Sequence, residues 1–503
     1  MKHHTPRHLP GQVLLALLLT LVSLLPAGAQ RLDEKVVEHT LKNGMKFLFV
    51  ERHQAPVFAA NIAFRVGGVD EQVGATGLAH MFEHMAFKGT RVIGTRDYRK
   101  ERPLLAAMDR VAEAIRAERA RGEAADPKRL EALQQQMKEL QEEHRKLVVT
   151  DEFSEIYQRN GGVRLNAGTS KDTTVYVVSL PANRLELWAL MESQRIAEPV
   201  MREFYTERDV VAEERRTSED NPGSRLYEQL TAAAYTAHPY QFPTIGWMSD
   251  IQSLTAEQAR AFHQRYYVPG NAVAALVGDI RPAEAIRVVE KYFGALPAGP
   301  PPPPVTTIEP AQQGERRVSV LADAEPMVMI AFHKPAPPHY DDVVFDVIDN
   351  IMTDGRTSRL YTALVKEQRL AVGVGASYAP GYRYPNLWYI GAAPRAPHTT
   401  AELETAIYAE LERLQREPVT ARELEKAKNQ MDAAYVRGLA SNEGLAEQLA
   451  DTQAALGDWR YLVRWREMVA RVTAEDVQRV ARQYLTPENR TVATLVKKEG
   501  AEQ

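Results

Sequence analysis

His80 and His84 stand four residues apart with Glu83 beside the second of them, in the run Gly77-Leu78-Ala79-His80-Met81-Phe82-Glu83-His84-Met85-Ala86-Phe87-Lys88-Gly89-Thr90. In a helix this spacing puts both imidazoles on one face, one turn apart, as two nitrogens must be to share a metal ion. Imidazole pairs suit zinc or a similar first-row ion, and a neighbouring carboxylate can take a proton from water there and pass it to a leaving amine. The order H-x-x-E-H inverts the commoner H-E-x-x-H. On these residues alone, two helix histidines satisfied by their surroundings are an equally good reading.

A catalytic zinc takes a third protein ligand and keeps a further position open. The stretch from Glu203 to Arg216 is rich in helix formers and carries carboxylates at Glu207 and Glu214, two helical turns apart and so on one face. Read in isolation, it is a solvated face of alternating charge.

Three segments taken together carry a resemblance: Gly77 to Thr90, Leu165-Asn166-Ala167-Gly168-Thr169-Ser170, and Glu207-Arg208-Asp209-Val210-Val211-Ala212-Glu213-Glu214. They resemble the pitrilysin, insulinase and mitochondrial processing peptidase family of zinc peptidases, the inverzincins. The resemblance extends thinly over most of the chain after the first 29 residues. It implies that His80, His84 and Glu214 hold one zinc ion per chain, that Glu83 is the general base, and that Glu207 is a second carboxylate supporting the site. The activity implied is endopeptidase hydrolysis of extended or unfolded peptides by a zinc-activated water. The resemblance also puts Asn166, Ala167, Gly168 and Thr169 along a cleft edge, where they bind substrate by strand addition. The β-branched run from Thr173 to Val178 reads as a strand, and a plain turn into a core strand is the alternative for the segment before it.

The rest of the chain must position these residues. Residues 1–29 join a basic start (Lys2, Arg7) to an apolar run from Val13 to Leu25 and the ending Ala27-Gly28-Ala29, which describes a secretory signal peptide cut after Ala29. The apolar run is too short to span a bilayer, and no second run of spanning length follows. There is no cysteine, so an exported chain relies on packing alone, which suits a bacterial periplasm. The formal charge of −4 becomes −6 without the two basic residues of the signal, too mild for nucleic acid or a membrane surface.

About 470 remaining residues are too many for one ordinary core. Five prolines at 300–304 mark an extended linker, placed at 297–305, between a catalytic domain over 30–296 and a second domain over 306–503. The two sides echo each other. Thr255-Ala256-Glu257 with Tyr266, Pro269 and Asn271 returns as Thr473-Ala474-Glu475 with Tyr484, Pro487 and Asn489. A second echo sets His80, Glu83 and His84 against Asp346, Asp349 and Asn350, so the second half is a copy without the metal ligands. The two echoes differ in offset, which requires extra sequence in the first half, about 100–150. There Leu130, Leu133, Met137, Leu140 and Leu147 form a helical stripe in a segment dense in helix formers, and a protruding helical hairpin follows, either a tolerated decoration or a docking arm.

Strand signals at Val36 to Thr40 and Lys46 to Val50 flank the turn pair Asn43-Gly44, with a third strand at Val57 to Val66 and helical patterns after it. This predicts an α+β fold. The resemblance implies the same: two homologous halves, each a sheet backed by helices, forming a clam-like chamber. Two departures from the family stand out. The arm separates the two metal motifs. And where relatives often flank a K-E-Q segment with a substrate-holding arginine and tyrosine, the positions around Lys366-Glu367-Gln368 fall on Leu364 and Ala371, with Arg356, Arg359 and Tyr361 nearby. The expectation is therefore a dimer with a related subunit that lacks the zinc motif. The competing class is a non-catalytic peptide-holding or assembly subunit that retains a zinc site, with a regulatory zinc module as the weaker third.

Overall fold

The computed structural model describes residues 32–498, so the expected signal segment lies outside the described residues. Among the described residues no helix is long and apolar enough to cross a membrane. The fold is α+β, with two sheets of like topology. The strands are β1 (Val37–Thr40), β2 (Lys46–Glu51), β3 (Val57–Phe64), β4 (Val163–Thr169), β5 (Thr174–Pro181), β6 (Ala272–Gly278), β7 (Arg316–Ala322), β8 (Met327–Lys334), β9 (Ala371–Ala379), β10 (Asn386–Pro394) and β11 (Arg490–Lys497). The first sheet runs β1-β2-β6-β3-β5-β4 and the second β7-β11-β8-β10-β9. In each, the last strand of the half enters the middle, parallel to one neighbour and antiparallel to the other.

The helices that matter for the site are α1 (Leu78–Met85), α2 (Tyr98–Arg119), α3 (Pro127–Arg145), α4 (Phe204–Asp220), α5 (Pro222–Ala234), α6 (Ala256–Tyr266), α7 (Tyr340–Thr353), α8 (Asn442–Leu456) and α9 (Ala474–Tyr484). The repeat read from the sequence has a structural meaning. Thr255 and Thr473 each close a capping box at the start of α6 and α9. Asn271 then donates from Nδ2 to the carbonyl of Tyr266 at 2.9 Å and to that of Arg65 at 3.2 Å. Asn489 does the same to Tyr484 at 2.8 Å and His333 at 2.9 Å. Each asparagine pins the loop that feeds the central strand.

Sequence alone does not show that the halves exchange a helix. On β3, Phe58, Ala60, Ile62 and Phe64 point into the first core, and the alternate positions Ala59, Asn61 and Ala63 face the other way. That second face is covered by α8, a helix of the second half, which buries Leu445, Ala446, Leu449 and Ala450 across β3 and β6. Small residues on both sides let the helix lie close. In return α5, from the first half, lies on β7, β8 and β11, and Leu226, Leu230 and Ala234 join Ala331, Ala493 and Leu495 in a shared apolar cluster.

The insertion is a helical hairpin of α2 and α3. It starts at Asp97, whose side chain accepts from the backbone N–H of Arg99 at 3.0 Å, close to the expected start near residue 100. Leu130, Leu133, Met137 and Leu140 lie on α3, but Leu147 falls past its end in a turn, where its carbonyl accepts from the N–H of Arg96 at 2.8 Å. A buried ionic hub anchors the base of the arm. The Glu101 carboxylate accepts from His144 Nε2 at 2.9 Å and from Arg202 Nε at 2.6 Å. Burial works against the charge, but the bonds from His144 and Arg202 outweigh it and hold the Glu101 carboxyl down at about 2.

Candidate metal centre

Helix α1 begins at Gly77, whose backbone is left-handed (φ 85°) and lies so close to the carbonyl oxygen of Ile245 that no side chain fits there. The Glu71 carboxylate closes the helix start, accepting from the N–H of Gly77 at 2.8 Å and of Ala79 at 2.7 Å. Leu78, Ala79, Met81, Phe82 and Met85 are buried in the first core, which leaves His80, Glu83 and His84 on the opposite face. Helix α4 buries Phe204, Tyr205, Val211 and Ala212 and turns Glu207 and Glu214 toward those histidines.

Among the described residues, His80, His84 and Glu214 each offer one donor atom, all within 4.8 Å of one another. The Nε2 atoms of His80 and His84 lie 3.7 and 3.8 Å from Glu214 Oε2. Donors around a tetrahedral zinc are about 3.3 Å apart, so both the spacing and the two-nitrogen, one-oxygen donor set fit that ion, with one position left for solvent. Glu214 is the most exposed of the three, at 44%, which puts the opening on its side.

The surroundings prepare these donors. Glu207 Oε2 lies 3.4 Å from His84 Nδ1, which leaves Nε2 for a metal. Burial lowers the His84 imidazole, but that bond and the charges of Glu214 and Glu83 raise it overall. Burial raises Glu207, and its bonds to His84 and Lys88 bring it below the usual carboxylate range. Burial, with His84 adjacent, pushes His80 down to about 4, so it is neutral and ready to ligate at neutral pH. Glu83 is raised, chiefly by burial, which suits a group that must accept a proton.

The substrate-side residues separate. Residues 166–169 lie on β4, the edge strand of the first sheet. Thr169 Oγ1 donates to Glu83 Oε2 at 2.7 Å, joining the edge to the metal helix. Ala167 packs toward the first core, while Asn166 and Gly168 face away from it. Ala371 and Leu364 are both buried in the second core, and Arg359 is held by Glu423 at 2.7 and 3.1 Å, which leaves exposed Arg356 and half-buried Tyr361.

Three residues of the site were not singled out by sequence. Glu71 closes α1. Lys88 forms an ion pair with Glu207 and lies 3.6 Å from Glu203. Arg202, just before α4, donates to the carbonyls of Lys88, Thr90 and Ile93 while binding Glu101 of the arm, so it ties α1, α4 and the arm base together. Of these only Lys88 carried a signal, as part of the histidine motif.

A family model described as Insulinase (Peptidase family M16) matches residues 150–246, starting just past the arm, and one described as Peptidase M16 inactive domain matches residues 253–431. Zinc protease PqqE of Helicobacter pylori (strain ATCC 700392 / 26695) is 30% identical over 510 aligned residues, which cover 98% of this chain and 100% of the relative. Uncharacterized zinc protease YmxG of Bacillus subtilis (strain 168) is 23% identical, covering 90% of this chain and 96% of its own. The crystal structure of a protease from Helicobacter pylori matches with a TM-score of 0.76 at 26% identity, over 92% of this chain and 99% of that one. With a relative this similar along its whole length, the chain belongs to the insulinase family, peptidase family M16.

Proposed function

We propose that this chain is a zinc-dependent endopeptidase that cuts extended or unfolded peptides. The observation that carries the reading is the convergence of His80, His84 and Glu214 beside a half-buried Glu83 that is bonded to an open sheet edge. The names of the relatives, zinc proteases, support it. One zinc ion held by His80, His84 and Glu214 supplies a Lewis acid for the scissile carbonyl and the attacking water. Glu83 takes the proton of that water on its carboxylate and later gives it to the departing amine nitrogen. Thr169 holds Glu83 in place, and Glu207 keeps the His84 ring turned the right way. The edge of β4 pairs with the substrate main chain, so a folded protein is excluded and an extended segment admitted.

In this reading residues 30–296 form the catalytic domain, 297–305 the linker, and 306–503 an inactive copy. The chain is exported, its signal cut after Ala29, and works in the periplasm. It acts as a dimer with a related subunit lacking the zinc motif, because the positions that hold substrate in relatives are core residues here, Leu364 and Ala371. That same observation favours a second reading, a peptide-holding subunit that keeps zinc and cleaves nothing alone.

The test is metal content and cleavage of a quenched unstructured peptide by the purified chain, with and without chelator. One zinc per chain with chelator-sensitive cleavage supports a self-sufficient peptidase, and zinc without cleavage supports the holding subunit or a missing partner. In Glu83→Gln, zinc remains and turnover falls by about 10²–10⁴. Near-normal turnover in that variant removes Glu83 as the base.

A further inference from the structure

On the face of the first sheet turned away from α1, a groove of ≈ 480 Å³ runs between the strands and α8 and reaches the β4 edge, where Arg164 and Asn166 line it. An added strand alternates its side chains between the two faces of a sheet. A peptide paired on β4 therefore sends one set of side chains toward the Thr169 side, where Glu83 is, and the other set into this groove.

Two features of the groove call for a ligand. Asn61 sits in the middle of β3 on this face, 1% exposed, and neither its Oδ1 nor its Nδ2 has a hydrogen-bond partner. A buried amide left so is destabilising, and a purely structural position would be filled by a valine or leucine. Opposite it, Glu443 and Glu447 stand one turn apart on α8, and Glu443 Oε1 is fixed by the Ser179 hydroxyl at 2.9 Å. Between them the walls are aliphatic, from Val177 and Ala446. The one cation among the lining residues is Arg164, exposed on a bulge of β4 between Val163 and Asn166 and in a left-handed backbone (φ 54°), so it stands at the rim rather than the floor.

We propose that this groove is a side-chain subsite for a lysine or arginine of a peptide paired on β4. The stem lies on Val177 and Ala446, and the cationic end meets Glu443, Glu447 and Asn61 Oδ1. The inference rests on the peptidase reading and deepens it by naming the substrate class: segments with a basic residue at one alternate position of the bound strand.

The test uses the full chain as Glu83→Gln and fluorescent unstructured peptides identical except for arginine or methionine at one position, scanned along the sequence. At one register the arginine peptide should bind about 10-fold or more tighter, the range that charge-assisted hydrogen bonds provide. In Glu443→Gln/Glu447→Gln that ratio should collapse to about one. Asn61→Leu should lower the ratio while leaving the melting temperature equal or higher, because it removes an unsatisfied amide; a merely structural asparagine would lower the melting temperature and spare the ratio. No register preferring arginine, or a preference surviving the double variant, overturns the subsite. If the wild-type chain also cleaves neither peptide and the Glu83→Gln chain binds neither, the peptidase reading falls with it, whereas cleavage without preference sinks the subsite alone.

Discussion

Helices α1 and α7 each follow the strand that pairs antiparallel with the last strand of their half, β3 and β8, yet they treat their polar residues in opposite ways. On α1 the Nε2 atoms of His80 and His84 converge with Glu214 into a group that could hold a metal ion. On α7 the counterparts bond to groups of their own half, with Asn350 Oδ1 the one buried oxygen of these side chains left without a partner. Asp346 Oδ2 accepts from Trp465 Nε1 at 2.6 Å, Asp349 Oδ1 from Trp388 Nε1 at 2.8 Å, and Asn350 Nδ2 donates to Asp354 at 2.8 Å. Buried polar groups must be paired. The second half pairs its two aspartates with indoles and Asn350 with a carboxylate, whereas in the first half the two imidazoles face Glu214.

Paired substitutions sharpen that contrast. His80→Ala should lose zinc and cut peptide turnover by about 10³-fold or more, the several kcal/mol a metal contributes. Asp346→Ala should leave zinc content as it is, which atomic absorption on both variants would check; zinc loss from the second would mean the halves are not so divided. The exchanged helices come next. Leu449→Ala on α8 and Leu226→Ala on α5 are both fully buried truncations and should each cost about 2–5 kcal/mol in denaturant unfolding. A single transition in both is expected, since each leucine sits where one half covers the other. Smaller still, Asn271→Ala and Asn489→Ala each remove a bridge between two carbonyls and should cost about 1–3 kcal/mol, alike within error if the repeat is energetic as well as geometric.

The smallest effect is one of pH. Burial, with Asp342 adding to it, holds the Asp346 carboxyl at about 7 against an ordinary 3.8. The native state thus keeps a proton that the unfolded chain has lost, so this group's contribution to stability falls as pH rises from about 4 to about 7 and is flat above. Asp346→Asn should remove that slope, seen by comparing urea midpoints at about pH 5 and about pH 8 with those of the parent.

How much of this is legible beforehand follows from range. His80, Glu83 and His84 show because one helical turn fixes their relation, and Glu207 and Glu214 because two turns do. The hairpin α2–α3 shows through its periodicity, and the repeat through residues such as Asn271 and Asn489 that do the same local task. Glu71 and Arg202 do not show, because they reach the site from loops with no period to betray them. The helix exchange is equally silent. The apolar residues of α5 and α8 announce burial, but nothing in them says against which sheet, and Asn61 reads as a stray polar residue in a strand until its face of the sheet is known.

The exchange of α5 and α8 also bears on how the chain comes into being. The first sheet closes with β6, but its second face stays bare until Leu456 has been made, far downstream of Gly278. During synthesis from the N-terminus, an apolar sheet face therefore waits uncovered for most of the second half. Contacts so distant in sequence make for slow, late assembly, and the first sheet is covered on both faces only when the second half arrives. The first half expressed by itself would be born with that face exposed.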